Sequence, residues 1–104
     1  MINVTYHRKY HKLTVKGHAN YAEEGKDIVC SAASILFYTL CSNLEDAALV
    51  REYKCKTDKG DSEVSITPNS RTESLVTLIF DTVCRGYELL SHKYPDNISF
   101  EMYE

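Results

Sequence analysis

The apolar residues of this chain change their spacing along its length, and that change limits the possible folds more than any other feature. In "INVTYHR" (2–8) apolar and polar residues alternate, the pattern of a half-buried strand. "KLTVKGHA" (12–19) alternates as well, and the short "KYHK" link reads as a hairpin turn. After Asp27 the period becomes helical. Val29, Ala32, Ala33, Leu36, Phe37, Leu40, Leu44 and Ala47 fall on one face, with Ser31, Tyr38, Ser42 and Glu45 opposite. Asp27 is the expected N-cap, because its carboxylate can accept from first-turn amides that have no partner inside the helix. Alternation returns in 50–57 and 62–68, which are separated by "DKGD" and predict a second hairpin. "SRTE" (70–73) has the form of a capping box, with Ser70 as N-cap and Glu73 reaching back. The helix it opens is expected to run to about His92 and to bury Leu75, Val76, Ile79, Val83 and Leu90. Pro95 blocks further helix, and "NISFEMY" (97–103) alternates as a last strand. The order ββαββαβ predicts an α+β fold, a five-stranded sheet with two helices packed over it.

Length and charge narrow the function. With 104 residues, the chain (1–104) suits one domain. A formal net charge of −3 counts against direct nucleic-acid contact, which normally needs a basic patch. No apolar run approaches the roughly 20 residues of a membrane span. The first residues lack the apolar core of a secretory leader, so the expected location is the cytoplasm. The cysteines are Cys30, Cys41, Cys55 and Cys84, and no two form a C-x-x-C pair. Neither a zinc ribbon nor a thioredoxin-type motif is present, and free thiols are expected. His7 and His11 have i, i+4 spacing, but on alternating sequence residues four apart stand too far apart to share a metal. No metal or other cofactor is expected.

The stretch "GHANYAEEGKDIVC" (17–30) carries the chemistry. With Asp27 as N-cap, Cys30 is the third helical residue, where unpaired amides and the positive end of the helix dipole favour a thiolate. His18 ends the preceding element, and only a short polar loop separates the two. A thiol and an imidazole brought together form an activated nucleophile, and helix-start amides could hold an oxyanion. Other readings of the same residues stay open. A single Cys on an amphipathic helix is also a small core residue, and a single His at a strand end is also a solvated surface residue. A thiol redox sensor would need a resolving cysteine. Cys41 is no such partner for Cys30, lying ~16 Å further along the same helix at 1.5 Å per residue. A non-catalytic adaptor would keep the fold and not need Cys30.

"GHANYAEEGKDIVCSAAS" resembles the signature of the ribosomal-processing cysteine protease (Prp) family of bacteria. The pattern is Gly-His-Ala, a short loop with a glycine, then Asp-Ile-x-Cys-Ala-Ala-x-Ser. Gly17, His18, Ala19, Gly25, Asp27, Ile28, Cys30, Ala32 and Ser34 all fit; Ser31 stands where alanine is more usual. The resemblance implies a homodimeric cysteine endopeptidase that removes the N-terminal extension of a large-subunit ribosomal protein, cutting after an aromatic residue. It makes Cys30 the nucleophile and His18 the general base, with Asp27 and Ser34 in support. Residues 20–26, with Asn20, Tyr21 and Gly25, become the substrate gate. Tyr21, Phe37 and Tyr38 are close enough in sequence to line an apolar pocket, although ordinary packing also accounts for Phe37.

Overall fold

The computed structural model describes residues 1–104. Strands β1 (Ile2–His7) and β2 (Lys12–Lys16) are followed by helix α1 (Ile28–Leu44), strands β3 (Val50–Asp58) and β4 (Asp61–Pro68), helix α2 (Glu73–Lys93) and strand β5 (Ile98–Tyr103). The ββαββαβ order expected from the spacing is the order found. The strands form one mixed sheet in the order β3-β4-β2-β1-β5. The neighbours are antiparallel except β1 and β5, which run parallel with Ile2 opposite Ile98 and Val4 opposite Phe100.

Alternation decides which side of the sheet is covered. Ile2, Val4 and Tyr6 of β1, Leu13 of β2, Val64 and Ile66 of β4 and Ile98 of β5 are buried against both helices in a single core. Asn3, Thr5, Thr14, Lys16 and Glu63 lie on the opposite, wetter face. From α1 the core takes Val29, Ala33, Phe37, Leu40, Cys41 and Leu44. Complete burial of one such Leu or Phe side chain contributes about 1.5–3 kcal/mol. The Tyr87 hydroxyl of α2 donates to the Ala33 carbonyl of α1 at 2.8 Å, which satisfies a polar group in that core and ties the helices together. Tyr6 is equally buried, and its hydroxyl donates to Asp81 at 2.9 Å. Arg8 then closes on both oxygens of Asp81 at 3.2 Å.

Four local expectations are corrected. Ala47 lies beyond the end of α1 and is exposed. The buried stripe of α2 is Val76, Phe80, Val83, Cys84 and Tyr87, while Leu75 is 51% exposed and Ile79 and Leu90 are only partly buried. The two aromatic rings take the sheet-facing positions, and Phe80 stacks on Tyr6 with centroids 5.6 Å apart. Ser70 is not an N-cap, because α2 starts at Glu73 with Thr72 before it. The Asn69 amide donates to the carbonyls of Ala47 and Ala48, and the Thr72 hydroxyl donates to that of Leu49, so residues 69–72 dock on the α1–β3 connection instead. Finally, the first hairpin turns through a 3-10 segment at Arg8–Tyr10. His11 follows it in the left-handed region at φ 50°, buried rather than displayed on a strand.

Candidate active site

Strand β2 stops at Lys16 because Gly17 turns the chain with φ +103°, and a β-carbon there would strike the Met1 carbonyl at 2.2 Å. His18 therefore stands just beyond the strand, not at its end. Ala19 is buried, and its carbonyl accepts from the Asn97 side chain at 2.9 Å, which anchors the segment to the start of β5. Asn20 follows in a left-handed conformation at φ 54° and turns the chain into the loop.

Asp27 organises the other side. One carboxylate oxygen accepts from the amides of Val29 and Cys30, each at 3.0 Å. The other accepts from the amides of Tyr21 at 3.0 Å and Ala22 at 3.2 Å. A single side chain thus caps α1 and clamps the base of the loop. Burial alone would raise the pKa of this carboxyl, but its four backbone donors outweigh that and hold it below the ordinary range. The expected cap is present, with one consequence the sequence did not reveal. The Val29 and Cys30 amides already serve Asp27 and the Ser31 amide serves the Asp27 carbonyl, so these helix-start donors are engaged.

A cleft of about 680 Å³ opens between the start of α1, the 17–25 segment and the β3–β4 turn. His18 and Cys30 both line it, together with Asn20, Gly25, Asp27 and Ser34. Tyr38 contributes apolar surface to the same wall, with the buried Phe37 ring packed edge-on behind it. Tyr21 does not; its ring packs edge-on against Tyr94 at 5.4 Å, so an aromatic pocket here is built from two of the three residues expected.

The far wall is the β3–β4 turn, which sequence reasoning left out of the site. Gly60, at φ +73°, passes directly beneath the His18 ring. A β-carbon on Gly60 would come within 2.7 Å of His18 Nε2 and 2.8 Å of Cε1. The Gly17 amide donates to the Gly60 carbonyl at 2.9 Å, so the turn is fixed to the backbone next to the histidine. Beside Gly60, Lys59 pairs with Glu24 of the loop and spans the cleft mouth. Both side chains are mostly exposed, so solvent screens the pair and it adds little stability. It ties the loop to the β3–β4 turn through side chains alone.

A thiol and an imidazole on one cleft, beside a capped helix start and under a short loop, suit a thiol-dependent peptide hydrolase. The comparisons with known proteins agree. The family model described as cysteine protease Prp matches residues 1–99. The chain is 37% identical over 93 residues to the ribosomal processing cysteine protease Prp of Mycoplasma pneumoniae, covering 88% of this chain and 87% of that one. It is 32% identical over 87 residues to the protein of the same name from Mycoplasma genitalium, covering 83% and 82%. Among solved structures, the essential ribosomal processing protease Prp from S. aureus, in complex with a covalently linked product peptide, superimposes with a TM-score of 0.79. That match covers 98% of this chain and 97% of the other at 20% identity, a likeness of fold. The protein belongs to the cysteine protease Prp family.

Proposed function

We propose that the protein is an endopeptidase that removes the N-terminal extension of a large-subunit ribosomal protein, with Cys30 as nucleophile and His18 as general base. The observation that carries this reading is that His18 and Cys30, twelve residues apart and held by separate anchors, line one cleft in a chain of the Prp family. His18 takes the thiol proton and the Cys30 sulfur attacks the scissile carbonyl. The same imidazole then protonates the leaving amine, and water hydrolyses the acyl-enzyme. Asp27 is a positioning residue that fixes Cys30 through its amide and the loop through Tyr21 and Ala22. Because Asp27 occupies the Cys30 amide, the polar side chains of Asn20 and Ser34 are the better placed donors to a developing oxyanion. The loop of residues 20–26 admits the peptide, and Tyr38, backed by the buried Phe37, accepts an apolar side chain ahead of the cut. The enzyme acts in the cytoplasm as a homodimer, without direct nucleic-acid contact. The exposed Leu75, Leu78 and Leu89 on the outer side of α2 offer an apolar surface for the second copy.

The test is incubation with a peptide carrying the extension and its junction, with products read by mass. The wild type cuts a single bond after an aromatic residue, and Cys30→Ala and His18→Ala do not. An uncut peptide with folded, reduced, dimeric wild type overturns the proposal and favours a non-catalytic adaptor.

A further inference from the structure

The thiols fall into groups that the cleft does not mix. Cys30 lines the cleft, while the sulfurs of Cys41 and Cys55 touch each other elsewhere, 3.4 Å apart. Cys41 belongs to the buried stripe of α1, about three turns beyond Cys30. Cys55 lies opposite Val64 in the β3–β4 ladder and so projects on the helix-covered side of the sheet. Because β3 is an edge strand, Cys55 stays open to solvent there. Tyr53, two residues earlier on the same side, stands beside both sulfurs. The pair therefore has one accessible member, one buried member, and no other cysteine in contact.

We propose that Cys41 and Cys55 are a modification site, closing to a reversible intramolecular disulfide when the protein meets a hydroperoxide. The Cys55 thiolate attacks one peroxide oxygen and the O–O bond breaks. Cys55 becomes a sulfenic acid, and the other oxygen takes a proton and leaves as water from hydrogen peroxide, or as the alcohol from an organic hydroperoxide. The Cys41 sulfur then attacks the Cys55 sulfur, the S–O bond breaks, and hydroxide leaves with the Cys41 proton as water. The two thiols lose two electrons in total, which the peroxide gains. A thiol reductant reverses the change. Burial pushes the Cys41 thiol up to about 12, which leaves the accessible Cys55 as the first to react. The sulfurs have to close only from 3.4 Å to about 2.05 Å, within the reach of side-chain rotation and slight movement of the edge strand.

The product staples α1, which carries Cys30 on its first turn, to β3, which leads into the turn beneath His18. Bridging residues 14 apart in sequence removes chain entropy from the unfolded state. The site is independent of the peptidase reading, since neither cysteine lines the cleft.

The experiment treats reduced protein with a small excess of hydrogen peroxide, blocks free thiols with N-ethylmaleimide and digests with trypsin without reductant. Arg51 and Lys54 place the two cysteines on separate peptides, and fragmentation assigns the bridge. Cys41 shares its peptide with Cys30, so the digestion is repeated on Cys30→Ala. In both proteins the expected product is a Cys41–Cys55 bridge two hydrogens lighter than the thiols, with Cys84 carrying maleimide. The bridged protein melts at least about 5 °C higher, and the gain disappears with dithiothreitol and in Cys55→Ser. Cys55 oxidised to sulfinic acid with no bridge, a bridge to Cys84 or between chains, or no change in melting temperature, overturns the proposal.

Discussion

Asp27 and Cys30 are joined through the backbone: the carboxylate of the first accepts the amide of the second at 3.0 Å, while its other oxygen holds the loop at Tyr21 and Ala22. The residue that carries the thiol and the segment that covers it therefore share one anchor. A motif with Asp three residues before Cys is explained by this geometry, since only the N-cap position aims a carboxylate at both sets of amides.

Asp27→Ala removes the cap and the loop clamp together. Loss of an N-cap alone costs about 0.5–2 kcal/mol, and the freed loop amides add to it. Melting temperature falls accordingly, and peptide cleavage falls at least about tenfold, because Cys30 and the loop over the cleft lose their shared anchor. Asp27→Asn keeps one acceptor oxygen and recovers part of both. Cleavage unchanged in a stable Asp27→Ala protein would remove the positioning role.

His18 is held from below by a residue with no side chain. Gly60→Ala places a β-carbon where the imidazole now lies and adds backbone strain at φ +73°. The ring is displaced from the cleft, and kcat falls at least about tenfold while KM changes little. Circular dichroism and melting establish that the fold survives, and the Cys30 thiol remains available to alkylation. A Gly60→Ala enzyme with full kcat would place His18 outside the reaction.

Much of this was legible in the spacing of apolar residues, and the exceptions share one physical cause. Element order follows from local period, because alternation and 3.6-residue spacing are properties of neighbouring residues. The parallel pairing of β1 with β5 is a long-range choice, and nothing in either strand alone states it. Periodicity gives the arc of α2 that is apolar, but packing of Phe80 and Tyr87 chose its rotation and left Leu75 outside. The cap expected at Ser70 lost to tertiary hydrogen bonds from Asn69 and Thr72. Of the residues that line the cleft, His18, Asp27, Cys30 and Ser34 lie within one short motif, so their nearness along the chain was readable. Gly60 reaches His18 only through the hairpin, although a glycine in "DKGD" marked a tight turn, and the Cys41–Cys55 contact joins a helix to an edge strand.

Cys30 is expected to take iodoacetamide faster than the other thiols near pH 7. It is partly exposed on the first turn of α1, whereas Cys41 and Cys84 are buried and their thiols are pushed up to about 12, burial being the largest cause for each. Cys55 is the relevant competitor because it is exposed. Mass-spectrometric mapping at short times should find label on Cys30 first, and His18→Ala should slow it. Equal labelling of Cys30 and Cys55 would mean that the helix start and His18 do nothing for the thiol.

Stability should fall in two stages on acidification, and His11 sets the first. Its ring is buried, its Nε2 lies 2.8 Å from the Thr77 hydroxyl, and it rests against Phe80. Burial, the largest cause, lowers its pKa, and Arg8 adds to that; Glu73 and Asp81 pull the other way without cancelling it. Well above about pH 6.5 neither the folded nor the unfolded chain protonates this histidine, and its contribution is intact. As pH falls below that value the unfolded chain takes up a proton that the folded one refuses, so stability drops until the folded pKa is passed. Asp27 belongs to the second stage, together with Asp81, because both carboxyls lie below the ordinary range when folded. Their contributions are present above about pH 4 and are lost as pH falls through the folded values. Melting curves from pH 7.5 to 3 should separate the stages. His11→Asn, which tolerates the left-handed backbone, should flatten the slope between pH 6.5 and 5 and leave the lower one in place. An unchanged upper slope would assign it to another group.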